Sequence, residues 1–185
     1  MSRSLALVVC AAPLAKRAPD LAGALTDDGW QVTVVATPSG GGWIDFARIE
    51  EVTGAPPVRD YRQPDEPKRG GQLQHLVVCP LTMNSGSKLA LGIMDNYALG
   101  VLCEALAART PITAVTMVND RLWPHPRWST NLELLRAAGV VFLDARTGRA
   151  GEPQPVRSGT GGDIVSGFDP GWVVAALRGQ PAHTS

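Results

Sequence analysis

The 185-residue chain has few aromatic residues, 5% of the total, only three cysteines and three histidines, and no net formal charge, with 17 basic against 17 acidic side chains. Each scarcity excludes something. Cys10, Cys79 and Cys103 show no CxxC spacing and no nearby histidine partner, so neither a zinc site nor a disulfide framework is expected, and the thiols read as reduced and buried. Balanced charge without a Lys or Arg stripe argues against a nucleic-acid partner. No apolar segment of about 20 residues occurs, so no membrane span is expected. The opening MSRSLALVVCAAPLAKR has too short an apolar part for a signal peptide, and we read it as the first strand of a cytoplasmic protein. The dinucleotide fingerprint GxGxxG is missing as well.

What is present is an alternation of short apolar runs with helical periodicity. Leu5 to Cys10, Gln31 to Ala36, Leu76 to Cys79, Pro111 to Met117 and Val140 to Leu143 have the length and apolar character of strands buried on both faces. Helical spacing marks Pro13 to Asp28, Ala98 to Ala108 and Thr130 to Ala138, with a short helix within Trp43 to Val52 and a closing helix that opens at Pro170. This pattern predicts an α/β fold: one doubly wound parallel sheet, Rossmann-like or flavodoxin-like, in a three-layer sandwich. The length suits a single domain over 1–185. Residues 54–74 read as a variable surface loop, 145–167 as a Gly- and Pro-rich segment, and 179–185 as a frayed tail.

The chain is organised around Leu76 to Asn96, LVVCPLTMNSGSKLALGIMDN, where strand, polar bend and helix follow one another without a spacer. Pro80 is expected to stop the strand. Asn84 or Ser85 is expected to cap the helix, on which Leu89, Ala90, Ile93 and Met94 recur at helical spacing. A helix N-terminus just past a parallel strand favours an anion or an electron-rich ring. On the residues alone, Thr82, Asn84 and Ser85 could equally do no more than cap a helix.

The stretch PLTMNSGSKLALGIMDN resembles the PASANT signature of the flavin-dependent cysteine decarboxylase superfamily. Pro80, Thr82, Asn84, Lys88, Gly92, Asp95 and Asn96 match, Ser85 replaces Thr, and Leu81 and Met83 depart. A second block, TMVNDRLWPHPRWSTNLELLRAAGV, is similar to the family's PxMNxxMW motif and the helix after it. There Asn119, Trp123, His125, Pro126, Asn131 and Leu132 fall in register, while Thr116, Val118 and Leu122 depart.

The resemblance implies FMN as cofactor. Its phosphate would lie near Ala11, Ala12, Thr37 and Ser39, and its ring along Thr82, Met83, Asn84, Ser85 and Val118. The family's Gly-Ser turn is replaced by Ala11-Ala12, so phosphate binding would lean on backbone N–H groups or on Ser39. Asn119 becomes the leading catalytic candidate, since its amide can donate to a substrate carboxylate; the alternative is that it caps the turn before Trp123. The family's catalytic histidine falls near Glu66, and no histidine precedes His75. Asp65 or Glu66 would then stand in as base if desolvated, Lys68 and Arg69 could bind a carboxylate, and His75, beside a strand, reads as structural.

The implied chemistry is oxidative decarboxylation of a peptide's C-terminal cysteine to an enethiol, as in lanthipeptide and linaridin-type biosynthesis, by a homotrimer or homododecamer. The segment GEPQPVRSGTGGD resembles the family's substrate flap but has no cysteine, which phosphopantothenoylcysteine decarboxylases use to return the electrons. That enzyme, with its usual attached synthetase domain, is the second reading, and a non-catalytic FMN-binding or regulatory protein the third.

Overall fold

In the computed structural model, which describes residues 3–63, 65 and 73–179, five strands form one all-parallel sheet. They are β1 (Arg3–Val9), β2 (Trp30–Ala36), β3 (His75–Leu81), β4 (Ile112–Thr116) and β5 (Val140–Leu143). Their spatial order is β2-β1-β3-β4-β5, the flavodoxin-like order, in which the winding direction reverses between β1 and β3. A parallel sheet needs cover on both faces, and alternate β1 residues divide between two cores. Leu5, Leu7 and Val9 join one, while Ala6, Val8 and Cys10 join the other.

The first core is closed by α1 (Ala18–Asp27), α2 (Phe46–Thr53), a short α6 (Gly161–Gly167) and α7 (Pro170–Arg178), which contribute Leu21, Leu25, Ile49, Ile164, Val173 and Leu177. The second is closed by α3 (Met83–Leu91), α4 (Tyr97–Ala107) and α5 (Pro126–Ala137), with Leu89, Leu99, Leu102, Trp128, Leu132 and Leu135. Burying a Leu-sized side chain contributes about 2 kcal/mol, so these two apolar layers dominate the favourable side of folding.

Four details depart from the sequence reading. Pro80 does not stop its strand: β3 runs on to Leu81, and the register against β4 shifts between Val78 and Leu81, so proline's missing N–H falls where the ladder is already irregular. Thr82, not Asn84 or Ser85, caps α3; its extended backbone (φ −89°, ψ 160°) lets Oγ1 accept from Ser85 N. The helix also ends earlier, at a left-handed Gly92 (φ 69°), which throws Ile93 and Met94 out to solvent. Asn96 then caps α4 afresh by accepting from Leu99 N. Within the 54–63 loop, Val58 bridges Val35 in parallel, and α6 is an element the Gly-rich composition gave no sign of.

At the amino ends of the strands the polar groups close on one another. Asp28, whose side chain is only 7% exposed, meets Arg3 and Arg178, and the hydrogen bond from Arg178 holds its carboxyl below the usual carboxylate range. His75 is buried, shares a 3.0 Å hydrogen bond with Thr113 Oγ1 and packs edge-on to Trp30. Burial lowers its pKa to about 4, so the imidazole is neutral and structural.

Candidate functional site

At the opposite, carboxyl ends of the strands a cleft of about 620 Å³ opens beside the β1/β3 reversal, where open α/β sheets place ligands. Three segments build its floor. Ala11, Ala12 and Pro13 follow β1; Thr37, Pro38 and Ser39 follow β2; Thr82, Met83, Asn84 and Ser85 follow β3. Met117, Val118 and Asn119, just past β4, form the side wall, and Val156, Arg157, Ser158, Gly159 and Gly161 extend it beside them. The cleft thus brings together Ala11, Ala12, Thr37, Ser39, Thr82, Met83, Asn84, Ser85, Val118 and Asn119.

The cleft's donors sort into used and unused. Thr37 Oγ1 accepts from Gly40 N at 3.0 Å and is buried, so it shapes the bend rather than pointing a free hydroxyl outward. Gly40 has to be glycine there, because a Cβ would fall 2.5 Å from Val9 O. Ala12 N donates to Cys10 O at 3.0 Å, which leaves the Ala11 N–H and Ser39 as the polar groups of that end. On α3 the Thr82 hydroxyl and carbonyl take the N–H groups of Ser85 and Gly86, while those of Met83 and Asn84 have no intrahelical acceptor.

Asn119 is fixed by its own turn. Its Oδ1 accepts from Arg121 N at 3.1 Å and Leu122 N at 2.9 Å, and its carbonyl accepts from Leu122 N and Trp123 N. The capping role and the cleft-facing role therefore coexist: the oxygen holds the turn, and the Nδ2 donor is left over. Asn119 is further clamped by a parallel bridge to Val156, with Val156 N donating to Val118 O at 2.8 Å and Asp120 N donating to Val156 O at 2.9 Å.

Among the described residues the cleft's charged side chains are Lys88, Asp95 and Arg157. Lys88 Nζ donates to Asp95 Oδ2, which lowers the pKa of Asp95. Asp65 is exposed and does not line the cleft, so the desolvation expected to turn it into a base is missing within this chain. Glu66, Lys68 and Arg69 lie outside the described residues. His125 is exposed and caps α5 by accepting from Arg127 N. The three thiols are absent from the lining: Cys10 and Cys79 lie beneath it, and burial pushes the pKa of each up, against hydrogen bonds from Ser85 and Thr82 in the case of Cys10. Sequence reasoning named no individual role in the cleft for Pro13, Trp43, Met117, Leu122 or Arg157, although Met117 and Leu122 lie in the PxMNxxMW-like block and Arg157 in the flap-like segment.

The cleft has the volume of a cofactor site, backbone N–H groups at both ends with no partner among the described residues, and a helix N-terminus on its floor. A family model for flavoproteins matches residues 2–166. The chain belongs to the Flavoprotein family. It is 28% identical over 129 residues to the coenzyme A biosynthesis bifunctional protein CoaBC of Mycolicibacterium smegmatis, a match that covers 68% of this chain but 30% of that protein. The chain therefore spans less than a third of the curated relative it matches. Among solved structures it is similar to the FMN-dependent cysteine decarboxylase SpaF, 25% identical with a TM-score of 0.62, covering 95% of this chain and 98% of that one. A PPC decarboxylase mutant complexed with pantothenoylaminoethenethiol shares the fold with a TM-score of 0.68 at 19% identity, covering 96% and 97% of the two chains. The similar structures thus include an FMN-dependent cysteine decarboxylase and a PPC decarboxylase.

Proposed function

We propose that this flavoprotein binds FMN in the cleft and oxidatively decarboxylates the C-terminal cysteine of a peptide, releasing the enethiol. The residues fit the cofactor. The Ala11 N–H, Ser39 and the Thr37 bend would hold the phosphate, and Thr82 to Ser85 with Val118 would bound the ring, the Met83 and Asn84 N–H groups facing its polar edge. Bound FMN supplies the two-electron oxidation of the carbon that bears sulfur, after which the thiocarbonyl accepts the electrons released as carbon dioxide leaves.

The chain's own part is orientation. Asn119 Nδ2 donates to the substrate carboxylate, and its neutrality matters, because a cation there would stabilise the carboxylate that has to be lost. Packing around the clamped turn keeps this donor in place, and Met117 and Val118, both buried, keep water from that wall. No histidine lines the cleft among the described residues, and Asp65 and Glu66 remain candidates for the base only if another subunit or the 54–74 loop encloses them. Self-association, as a trimer or dodecamer, is part of this proposal; it is supported by Tyr61, Leu91, Ile93 and Met94, which expose 54%, 56%, 43% and 57% of their surface beside the cleft.

The observation that carries the peptide reading is the composition of the wall at 156–161. It presents no thiol, and at Gly161 an added Cβ would lie 2.9 Å from Pro13 Cγ, so a side chain there would force the wall outward. A thiol to protonate the enethiol during re-reduction is thereby missing from this wall, which favours release of the oxidised product. The second reading, phosphopantothenoylcysteine decarboxylation, is favoured by the match to the coenzyme A biosynthesis protein. Offering the FMN-loaded protein a cysteine-ending peptide and phosphopantothenoylcysteine in parallel separates them. We expect the peptide alone to be consumed; consumption of the phosphate ester alone would reverse the order of the two readings.

A further inference from the structure

Arg157 has no role in the chemistry above, yet it lines the cleft next to the catalytic clamp. It follows Val156, the residue bridged to Asn119, and its own backbone is pinned by a turn in which Thr160 N and Oγ1 both donate to Arg157 O, at 3.1 and 2.9 Å. The adjacent Ser158 N donates to Asp120 Oδ1 at 2.9 Å, which ties the segment to the Asn119 turn a second time. Arg157 is therefore carried on a braced backbone, with its side chain exposed at the rim.

The charges facing the cleft do not balance. Lys88 and Asp95 satisfy one another, and Arg157 is the remaining cation, with no acidic partner in ion-pair range among the described residues. A planar guanidinium held at a cleft mouth suits a carboxylate or phosphate, which it can grip with two parallel N–H bonds. It does not suit the carboxylate that leaves. Pairing that group with a full positive charge would stabilise the ground state relative to the transition state and slow the loss of carbon dioxide. The anion it fits lies elsewhere on the substrate.

Resting on the decarboxylase reading, we infer that Arg157 is a specificity residue that pairs with an acidic side chain of the substrate peptide, upstream of its terminal cysteine. Such remote pairing adds affinity equally to ground and transition states, so it shows in KM and leaves the bond-breaking step to Asn119 and the cofactor. A phosphate ester carries the same chemistry at the same remove from the reacting carbon, and the experiment keeps the two sources apart.

The test uses the FMN-loaded full chain and peptide pairs that differ only in Glu or Gln at successive positions before the terminal cysteine, with phosphopantothenoylcysteine as a further arm. Binding is measured by calorimetry and turnover separately. The wild type is expected to bind one acidic peptide about fivefold tighter than its amide twin at low salt, a ratio that shrinks as ionic strength rises. Arg157→Gln should abolish that ratio and Arg157→Lys retain part of it, with the turnover loss carried by KM. An equal ratio in wild type and Arg157→Gln overturns the inference, as does binding of neither peptide. Dependence seen only with the phosphate ester overturns the peptide assignment, and loss of FMN from Arg157→Gln would make the residue a cofactor contact instead. A charge preference lost in Arg157→Gln without any turnover would support the inference while removing the decarboxylase reading.

Discussion

The two ends of the sheet use polar groups in opposite ways. At the amino ends, Arg3 and Arg178 pair with Asp28 and His75 pairs with Thr113, while Trp30 lies under the Arg3 guanidinium and edge-on to His75. At the carboxyl ends, the N–H groups of Ala11 and, at the start of α3, of Met83 and Asn84, together with the Asn119 Nδ2, have no partner among the described residues. Buried polar groups are costly when unpaired, so a chain that pairs them at one end and leaves donors open at the other separates stability from binding.

Changes at the open end should break function before fold, and changes at the closed end the reverse. The largest effect is expected from Asn119→Asp. The aspartate keeps the oxygen that accepts from Arg121 and Leu122 but replaces the donor with a negative charge facing the substrate carboxylate. Turnover should fall by about 10²- to 10³-fold, the cost of one positioned donor, while FMN stays bound and the melting curve barely moves. Steady-state kinetics with a flavin absorbance spectrum would show both; turnover within a few-fold of wild type removes Asn119 from the mechanism.

At the closed end the corresponding lever is pH. His75 takes a proton near 6.5 in the unfolded chain but near 4 in the fold, so the unfolded state binds more protons in between and stability falls as pH drops. The contribution is fully present above about pH 6.5 and, for the roughly 2.5-unit gap, about 3 kcal/mol of it is gone by pH 4. Urea unfolding at both ends of that window should show this fall in the wild type and a smaller one in His75→Gln. Equal falls would mean that the imidazole is solvated.

Gly40→Ala tests where the two regimes meet. Its Cβ would press on Val9 O, so the bend after β2 has to shift, costing about 2 kcal/mol in stability and weakening FMN together. Stability loss with unchanged FMN affinity would detach that bend from the cofactor. Smallest is Ser39→Ala, which removes one hydroxyl and should weaken FMN only a few-fold, since backbone N–H groups remain. Fluorescence titration with FMN resolves both.

The difference between the ends also explains what could be read in advance. Strands such as Val140 to Leu143 were legible with their bounds, because a parallel strand covered on both faces is a bare apolar run. The closing helix was legible from Pro170 at its first turn. The cap of α3 was not: Thr82, Asn84 and Ser85 all have suitable oxygens, and the choice rests on which backbone stays extended. Nor was the end of α3, where Ile93 and Met94 keep helical spacing past a glycine that has already turned the chain. In the cleft, the candidates attached to strand ends line the floor and side wall, whereas Asp65 and Arg157 belong to loops. The position of Arg157 depends on the bridge from Asn119 to Val156, which no local pattern encodes.

The central claim concerns electrons as well as carbon dioxide, and product mass reads both at once. A cysteine-ending peptide incubated with the FMN-loaded protein in air should lose about 46 mass units, carbon dioxide plus two hydrogens. A loss of about 44, carbon dioxide alone, or an unchanged peptide, would contradict it.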